Sequence, residues 1–210
     1  MTTYSAALKA AQKILIDAGV PSPVADSRLL LAHATNEDLK SLENKLVLDA
    51  ELSATAMKEF DELISLRSTR VPLQHLTGFA AFRYLELNVG SGVFVPRPET
   101  ESVVQLALDF LESFENPKVL DIGTGSGAIA ISIATEKPDS EVTALEKSVE
   151  AHKFASQNND KYGSLVNLIL TDFADFNSEQ KFDLVISNPP YIPTGAVPRD
   201  PEVRDYDPSL

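Results

Sequence analysis

The feature that most constrains the fold is an alternation of strand and helix patterns that begins near residue 118. Its first unit is an apolar strand, Val119–Ile122, followed by a glycine-rich turn, Gly123–Gly127, and an apolar helix from Ala128 to Ala134. Three further strands are predicted at Glu141–Leu145, Val166–Leu170 and Phe182–Ser187, with a helix from about Ser148 to Lys161. Strands that alternate with helices predict an α/β fold, in which a parallel sheet carries helices on its faces.

Two different patterns precede this sheet. Residues 1–75 carry apolar side chains at helical spacing, interrupted at Gly19-Val-Pro21, and predict a small bundle of about three helices for substrate recognition. Residues 76–96 are rich in strand formers and glycine, which predicts a β-hairpin linker. Residues 97–210 then form the α/β domain. Because the chain ends soon after its fourth parallel strand, we expect this domain to be incomplete at its C-terminus, as in a fragment.

Composition excludes several classes of protein. The sequence has no cysteine and only three scattered histidines, so neither disulfides nor a metal site is expected. No apolar run approaches the ~18 residues that span a bilayer, and the N-terminus does not resemble a signal peptide. We therefore expect a cytoplasmic protein, a monomer that does not bind membranes. The net charge of −13 lies mostly in residues 76–210, which argues against direct binding of nucleic acid.

The glycine-rich turn predicts a ligand site at the end of its strand. A dinucleotide fingerprint spaces its glycines G-x-G-x-x-G, whereas the third glycine of Gly123-Thr124-Gly125-Ser126-Gly127 comes one residue early. Asp121, just before the turn, would repel a phosphate but would favour a cationic amino group. An adenosine that carries an amino acid satisfies both conditions, which points to S-adenosylmethionine. The alternative is a glycine-rich turn that binds nothing.

Acidic side chains follow the next two strands at positions where they could complete this site. Glu146 comes roughly 20 residues after the glycines, where an acid can accept hydrogen bonds from both ribose hydroxyls. Asp172 could accept from an adenine amino group, and Phe173 could flank the ring. Two alternatives stay open: Glu146 as a solvated surface residue, and Asp172 and Phe173 as a turn aspartate and a core phenylalanine.

The fourth strand is followed by Asn188-Pro189-Pro190-Tyr191. Each proline restricts the residue before it to extended geometry, and Pro189 has no N–H. The loop therefore presents two acceptors, the Asn188 side-chain oxygen and the Pro189 carbonyl, which together can hold both hydrogens of a planar –NH2 group. Tyr191 offers a flat face to the group that carries it. A plain loop without function is the alternative.

Taken together, these residues resemble the amino-methyltransferase branch of the S-adenosylmethionine-dependent methyltransferases, which share the Asn-Pro-Pro-Tyr loop. The resemblance extends to one family over nearly the whole chain, the HemK/PrmC family of protein-glutamine methyltransferases. It is carried by the helical N-terminal region and by three segments, Pro72-Leu-Gln-His-Leu-Thr-Gly78, Phe94-Val-Pro-Arg-Pro-Glu-Thr100 and Val203-Arg-Asp-Tyr-Asp-Pro-Ser-Leu210.

The resemblance implies a Rossmann-like methyltransferase sheet and a specific reaction. This family methylates the side-chain nitrogen of the glutamine in the Gly-Gly-Gln motif of peptide chain release factors. By the same resemblance, the cofactor is held by Gly123 to Gly127, Glu146, Phe173 and Asn188. The substrate glutamine lies on Asn188, Pro189, Pro190 and Tyr191, with Asn188 and Pro189 as the catalytic pair.

Two other functions remain open at this point. An adenine or guanine amino-methyltransferase would need the same loop, because it must also hold an –NH2 group. Such an enzyme should carry a basic groove for phosphates, which the acidic C-terminal part of the chain disfavours. A binding module without activity is the second alternative, and it follows from the incomplete sheet.

Overall fold

The computed structural model describes residues 2–189 and 201–206. Within these residues the helices are α1 (Tyr4–Asp17), α2 (Pro23–Thr35), α3 (Leu39–Val47), α4 (Ala54–Ser68), α5 (Leu73–Thr77), α6 (Pro98–Leu111), α7 (Ala128–Glu136), α8 (Val149–Lys161) and α9 (Pro201–Tyr206). The strands are β1 (Phe79–Phe82), β2 (Leu85–Asn88), β3 (Lys118–Ile122), β4 (Glu141–Glu146), β5 (Val166–Leu170) and β6 (Leu184–Ile186). The described residues form two units, 2–77 with 201–206 and 78–189.

The first unit is a helical bundle in which three helices start at polar caps. The side chains of Thr3, Asp38 and Ser53 each accept a hydrogen bond from a backbone N–H in the first turn of α1, α3 and α4. The bundle contains more helices than the three that the sequence predicted. Helix α3 is one of those not predicted, although Leu39, Leu42 and Leu46 recur in it at helical spacing; of the three, only Leu42 is buried.

A buried ion-pair cluster joins α9 to this bundle. Arg67 on α4 is 4% exposed and donates to Asp26 of α2 over 2.7 Å and to Glu202 of α9 over 2.8 Å. Glu202 also pairs with Arg70 over 3.0 Å. The sequence-based division assigned all of residues 97–210 to the α/β domain. The structure instead groups α9 with the N-terminal helices, because these ion pairs anchor it there.

The second unit is built on a parallel sheet with strand order β5-β4-β3-β6. The central strand β3 pairs with β4 along its whole length and with β6 from Val119 to Asp121. Helix α7 is apolar on all sides and its residues Ala128 to Ala134 are all buried. The predicted α/β class with a parallel sheet is thereby confirmed.

Several predicted boundaries differ from the structure in detail. Strand β6, Leu184–Ile186, is shorter than the predicted Phe182–Ser187. The hairpin consists of β1 and β2 alone, because the chain leaves the strand pairing at Val89 and continues as a loop in which Gly92 has φ +92°. No helix in the described part of the chain is long and apolar enough to cross a membrane.

Candidate active site

The predicted site residues lie at one edge of the parallel sheet. The glycine loop follows β3, Glu146 is the last residue of β4, Asp172 comes two residues after β5, and Asn188 comes two residues after β6. The carboxyl ends of parallel strands meet at a single edge, which is where open α/β sheets bind their ligands. The topology therefore brings these four positions together.

The glycine loop is tied to the neighbouring strand β4. The backbone N–H groups of Gly123 and Thr124 both donate to the carbonyl of Leu145, over 2.9 and 3.0 Å. Gly125 has φ +59°, and a Cβ added there would meet nothing within 4 Å. At Gly127, by contrast, a Cβ would come within 2.7 Å of the Ile131 side chain. Gly125 therefore borders open space that a ligand can use, whereas at Gly127, the N-cap of α7, a side chain would collide with Ile131 of the same helix.

Asp121 lies beneath this loop and is fully buried. Its Oδ2 accepts from the Thr124 hydroxyl over 2.6 Å, and its Oδ1 has no hydrogen-bond partner among the described residues. Burial raises the pKa of Asp121 to about 7, against the opposing effect of the Thr124 hydrogen bond. Because the carboxyl is enclosed, it can act on a bound cation through its charge and through the loop, but not by direct contact.

Glu146 reaches the loop from the end of β4. Its Oε2 accepts from the backbone N–H of Gly125 over 2.8 Å, and its Oε1 accepts from that of Ser148 over 2.9 Å. The side chain is 8% exposed, so it is not the solvated surface residue that the sequence left open. Each carboxylate oxygen keeps a further lone pair, which leaves Glu146 able to accept from two ligand hydroxyls.

Asp172 and Phe173 start a 3₁₀ turn, Phe173–Asp175, after β5. Asp172 Oδ1 accepts from the backbone N–H of Ala174 over 2.9 Å, which fixes the turn. The Phe173 ring is 55% exposed and is therefore not part of the core. An exposed aromatic ring at the ligand edge of the sheet is available to contact a flat base. Both residues therefore lie at the carboxyl end of β5, and their contact with a base stays a prediction.

The loop after β6 is anchored on two sides. The Ser187 hydroxyl donates to the carbonyl of Ile122 over 2.7 Å, and Asn188 Nδ2 donates to Thr100 Oγ1 over 2.8 Å. Pro189 is exposed beside them. Pro190 and Tyr191, the other predicted substrate contacts, lie outside the described residues. The described part of the loop therefore has a fixed backbone and an oriented amide.

Two residues that contact these loops were not predicted from the sequence. Thr100 ends the segment Phe94–Thr100, which carries the family resemblance, but the sequence assigns it no role. Asn158 of α8 is fully buried and donates from Nδ2 to the carbonyls of Ser126 and Asn88, while its Oδ1 accepts from the backbone N–H of Asn88. Its position could have been noticed, because it continues the buried stripe of Ala151 and Ala155 with a polar side chain.

No metal centre accompanies this site in the described ranges, where no group of three or more histidine, aspartate or glutamate side chains is placed to hold an ion. The described residues offer the glycine loop, one exposed ring, three carboxylates of different burial and one oriented amide. Such a set can hold a nucleoside and present an acceptor to a donor group.

Comparison with protein families identifies both units. Residues 85–199 match the family described as methyltransferase small domain, and residues 6–78 match the family described as PrmC N-terminal domain. Together the two matches span most of the chain. They confirm the resemblance to the HemK/PrmC family.

Several individual relatives are named release factor glutamine methyltransferase. The release factor glutamine methyltransferase of Streptomyces coelicolor is 46% identical, with 100% of this chain and 74% of the relative covered. The enzyme of Bifidobacterium longum is 41% identical, and the alignment covers 93% of this chain and 71% of the relative. The enzyme of Mycolicibacterium smegmatis is 40% identical, and the alignment covers 100% of this chain and 73% of the relative. This chain belongs to the release factor glutamine methyltransferase family.

Proposed function

We propose that this protein is an S-adenosylmethionine-dependent enzyme that methylates the side-chain nitrogen of the Gly-Gly-Gln glutamine in peptide chain release factors. Family membership gives the reaction and the class of substrate. The observation in the structure that supports it most directly is the Asn188 amide, which Thr100 holds at the carboxyl end of β6. An oriented amide oxygen is the group needed to accept a hydrogen bond from a planar –NH2.

The described residues fit the cofactor. Gly123 and Gly125 border open space in which an added Cβ would meet nothing, so a ligand can approach the loop backbone closely. We assign the ribose hydroxyls to Glu146 and the adenine to Asp172 and Phe173. Asp121 lies under the loop and, in its ionised form, favours a positively charged amino acid portion. When bound, S-adenosylmethionine supplies an electrophilic methyl group on its sulfonium sulfur.

Asn188 and Pro189 act on the substrate nitrogen. A glutamine nitrogen is a poor nucleophile because its lone pair is delocalised into the carbonyl. Hydrogen bonds from its two N–H groups to the Asn188 oxygen and the Pro189 carbonyl hold this nitrogen in a fixed orientation, which removes much of the entropic part of the barrier. The same acceptors stabilise positive charge as it develops on the nitrogen. The alkylated amide is strongly acidic and releases its extra proton to water, so no side chain is required as a base.

The test of this function is the Asn188→Ala variant. Loss of one preorganised transition-state hydrogen bond costs ~10²–10³-fold in rate, so we expect methylation of a release factor to fall by that amount. Asn167→Ala, a change of an exposed asparagine in β5, is the matched control and should leave the rate unchanged. Calorimetry should show that Asn188→Ala weakens binding of S-adenosylmethionine only modestly.

The substrate is identified by presenting three acceptors to the wild-type enzyme. We expect label in the release factor, and none in the same factor with its Gly-Gly-Gln glutamine changed. Duplex DNA and ribosomal RNA should also stay unlabelled. Label in either nucleic acid would favour the amino-methyltransferase of nucleic-acid bases, which uses the same loop. The monomeric state and cytoplasmic location stay predictions, and light scattering of the purified protein measures the first.

A further inference from the structure

The orientation of the Asn188 amide is itself a requirement of the proposed reaction. An asparagine side chain has an acceptor edge, the oxygen, and a donor edge, the –NH2 group. Only the oxygen can accept from the –NH2 of a substrate glutamine. If the amide were rotated by 180°, two donor groups would face each other. Something in the protein must therefore hold the nitrogen away from the substrate.

We propose that Thr100 is the positioning residue that does this. Thr100 Oγ1 accepts from Asn188 Nδ2 over 2.8 Å, which holds the amide nitrogen against the first turn of α6. The inference rests on the proposed function and extends it to a residue on α6, which is distant in sequence from the Asn-Pro-Pro-Tyr loop.

Thr100 is well placed for this role because its own position is fixed. It is the third residue of α6 and is 7% exposed, and its backbone N–H donates to the carbonyl of Arg97. The next residue, Glu101, is held by the hairpin, since its side chain accepts from the backbone N–H of Arg83 and its carbonyl accepts from the Arg83 side chain. The hydroxyl therefore sits on a rigid first helical turn.

Arg83, in the turn between β1 and β2, is in turn fixed to helix α7. Arg83 makes a two-point ion pair with Glu136 of α7, with both N···O distances at 2.6 Å. On the other side of the loop, Ser187 is anchored to β3 through the carbonyl of Ile122. The residue before Asn188 is thus held by the sheet, and the Asn188 side chain is held by α6.

Thr100→Val tests the proposal, because it replaces the hydroxyl with a methyl group of similar size. A misplacement of about 1 Å at a reacting group can cost ~10²-fold, and we expect kcat for release factor methylation to fall by this order. The Kd for S-adenosylmethionine and the melting temperature should stay close to the wild-type values. Thr100→Ser, which keeps the hydroxyl, should retain kcat within several-fold. Thr143→Val, at a threonine of β4 that is equally buried, is the matched control.

A double variant separates positioning from a general structural role. If Thr100 acts through Asn188, adding Thr100→Val to Asn188→Ala should cause no further loss of kcat. A further loss, or a wild-type kcat in Thr100→Val, overturns the positioning role. Thr100→Ala gives the same comparison if the valine variant melts well below the wild-type protein. The proposed function fails separately, because it requires Asn188→Ala alone to abolish most of the activity.

Discussion

At the level of single residues, two carboxylates support the same glycine loop in different ways. Asp121 is enclosed beneath the loop and acts on it through the Thr124 hydroxyl. Glu146 lies at the end of its strand and accepts from the backbone of Gly125. Desolvation therefore dominates at Asp121, while Glu146 keeps the lone pairs that a ligand needs. One acid shapes the loop and the other is available to the cofactor.

Burial of Asp121 predicts an unusual dependence of stability on pH. Its pKa is about 7 in the folded protein and near 3.9 when unfolded, so between these values the folded state binds more protons. The contribution of Asp121 to the free energy of unfolding is therefore fully present below pH ~4 and is lost as the pH rises to about 7. The loss is at most on the order of 4 kcal/mol, because each tenfold difference in proton affinity between the two states corresponds to ~1.4 kcal/mol.

Comparison of the wild-type protein with Asp121→Asn isolates this effect, because the other carboxylates titrate in both proteins. The measurement is the free energy of unfolding in urea at a series of pH values from 4 to 8. We expect the wild-type protein to lose stability relative to the variant across this range, and the difference to level off above pH ~7. A difference that is independent of pH would show that Asp121 is ionised throughout.

The sequence predicted the site residues whose role is local and missed those whose partners are distant. The glycine loop, Glu146 and Asn188 follow strands directly, so the pattern of each strand end predicts them. Thr100 contacts a side chain 88 residues away, and Asn158 contacts a backbone 70 residues away. No local pattern contains such a pairing, because it exists only once the elements have packed.

At the level of elements, α8 connects the hairpin to the glycine loop. Asn158 makes hydrogen bonds to both the N–H and the carbonyl of Asn88 in β2, and also to the carbonyl of Ser126. Tyr162, at the end of the same helix, accepts from the backbone N–H of Glu86 over 2.7 Å. One face of α8 therefore fixes the strand that precedes the sheet and the loop that borders the cofactor site.

Asn158→Ala should consequently affect both stability and cofactor binding. The change leaves one buried backbone N–H and two carbonyls without these partners, and each such group costs about 1–3 kcal/mol. We expect the free energy of unfolding to fall by about 3 kcal/mol. Because Ser126 belongs to the glycine loop, we also expect S-adenosylmethionine to bind about tenfold more weakly, a loss of ~1.4 kcal/mol by calorimetry.

The neighbouring residue provides the control for this variant. Asn159 is also buried and also makes two side-chain hydrogen bonds to backbone, but both go to Val166 at the start of β5. Asn159→Ala should therefore destabilise the protein by a similar amount without changing the affinity for S-adenosylmethionine. Equal losses of affinity in the two variants would show that the effect comes from reduced stability and not from the loop.

At the scale of the whole molecule, the chain returns to the helical unit after it has formed the sheet. Arg67 and Glu202 are 135 residues apart in sequence, and their ion pair fixes α9 among helices that the chain built near its start. Charge alone could not have predicted this contact, since both residues belong to unremarkable polar segments. The pairing follows from burial, because a guanidinium that is 4% exposed must have partners.

Removing one of these partners should therefore be costly. Asp26→Ala leaves the buried Arg67 with Glu202 as its remaining carboxylate, and we expect a loss of about 3 kcal/mol in the free energy of unfolding. Glu202→Ala should cost less, because Glu202 is 22% exposed and its loss is partly compensated by water. The control is Glu62→Gln, which breaks the exposed pair with Lys58 and should change stability by less than about 0.5 kcal/mol. Urea denaturation followed by circular dichroism measures all three, and a loss for Asp26→Ala no larger than that for Glu62→Gln would mean that the cluster does not stabilise the bundle.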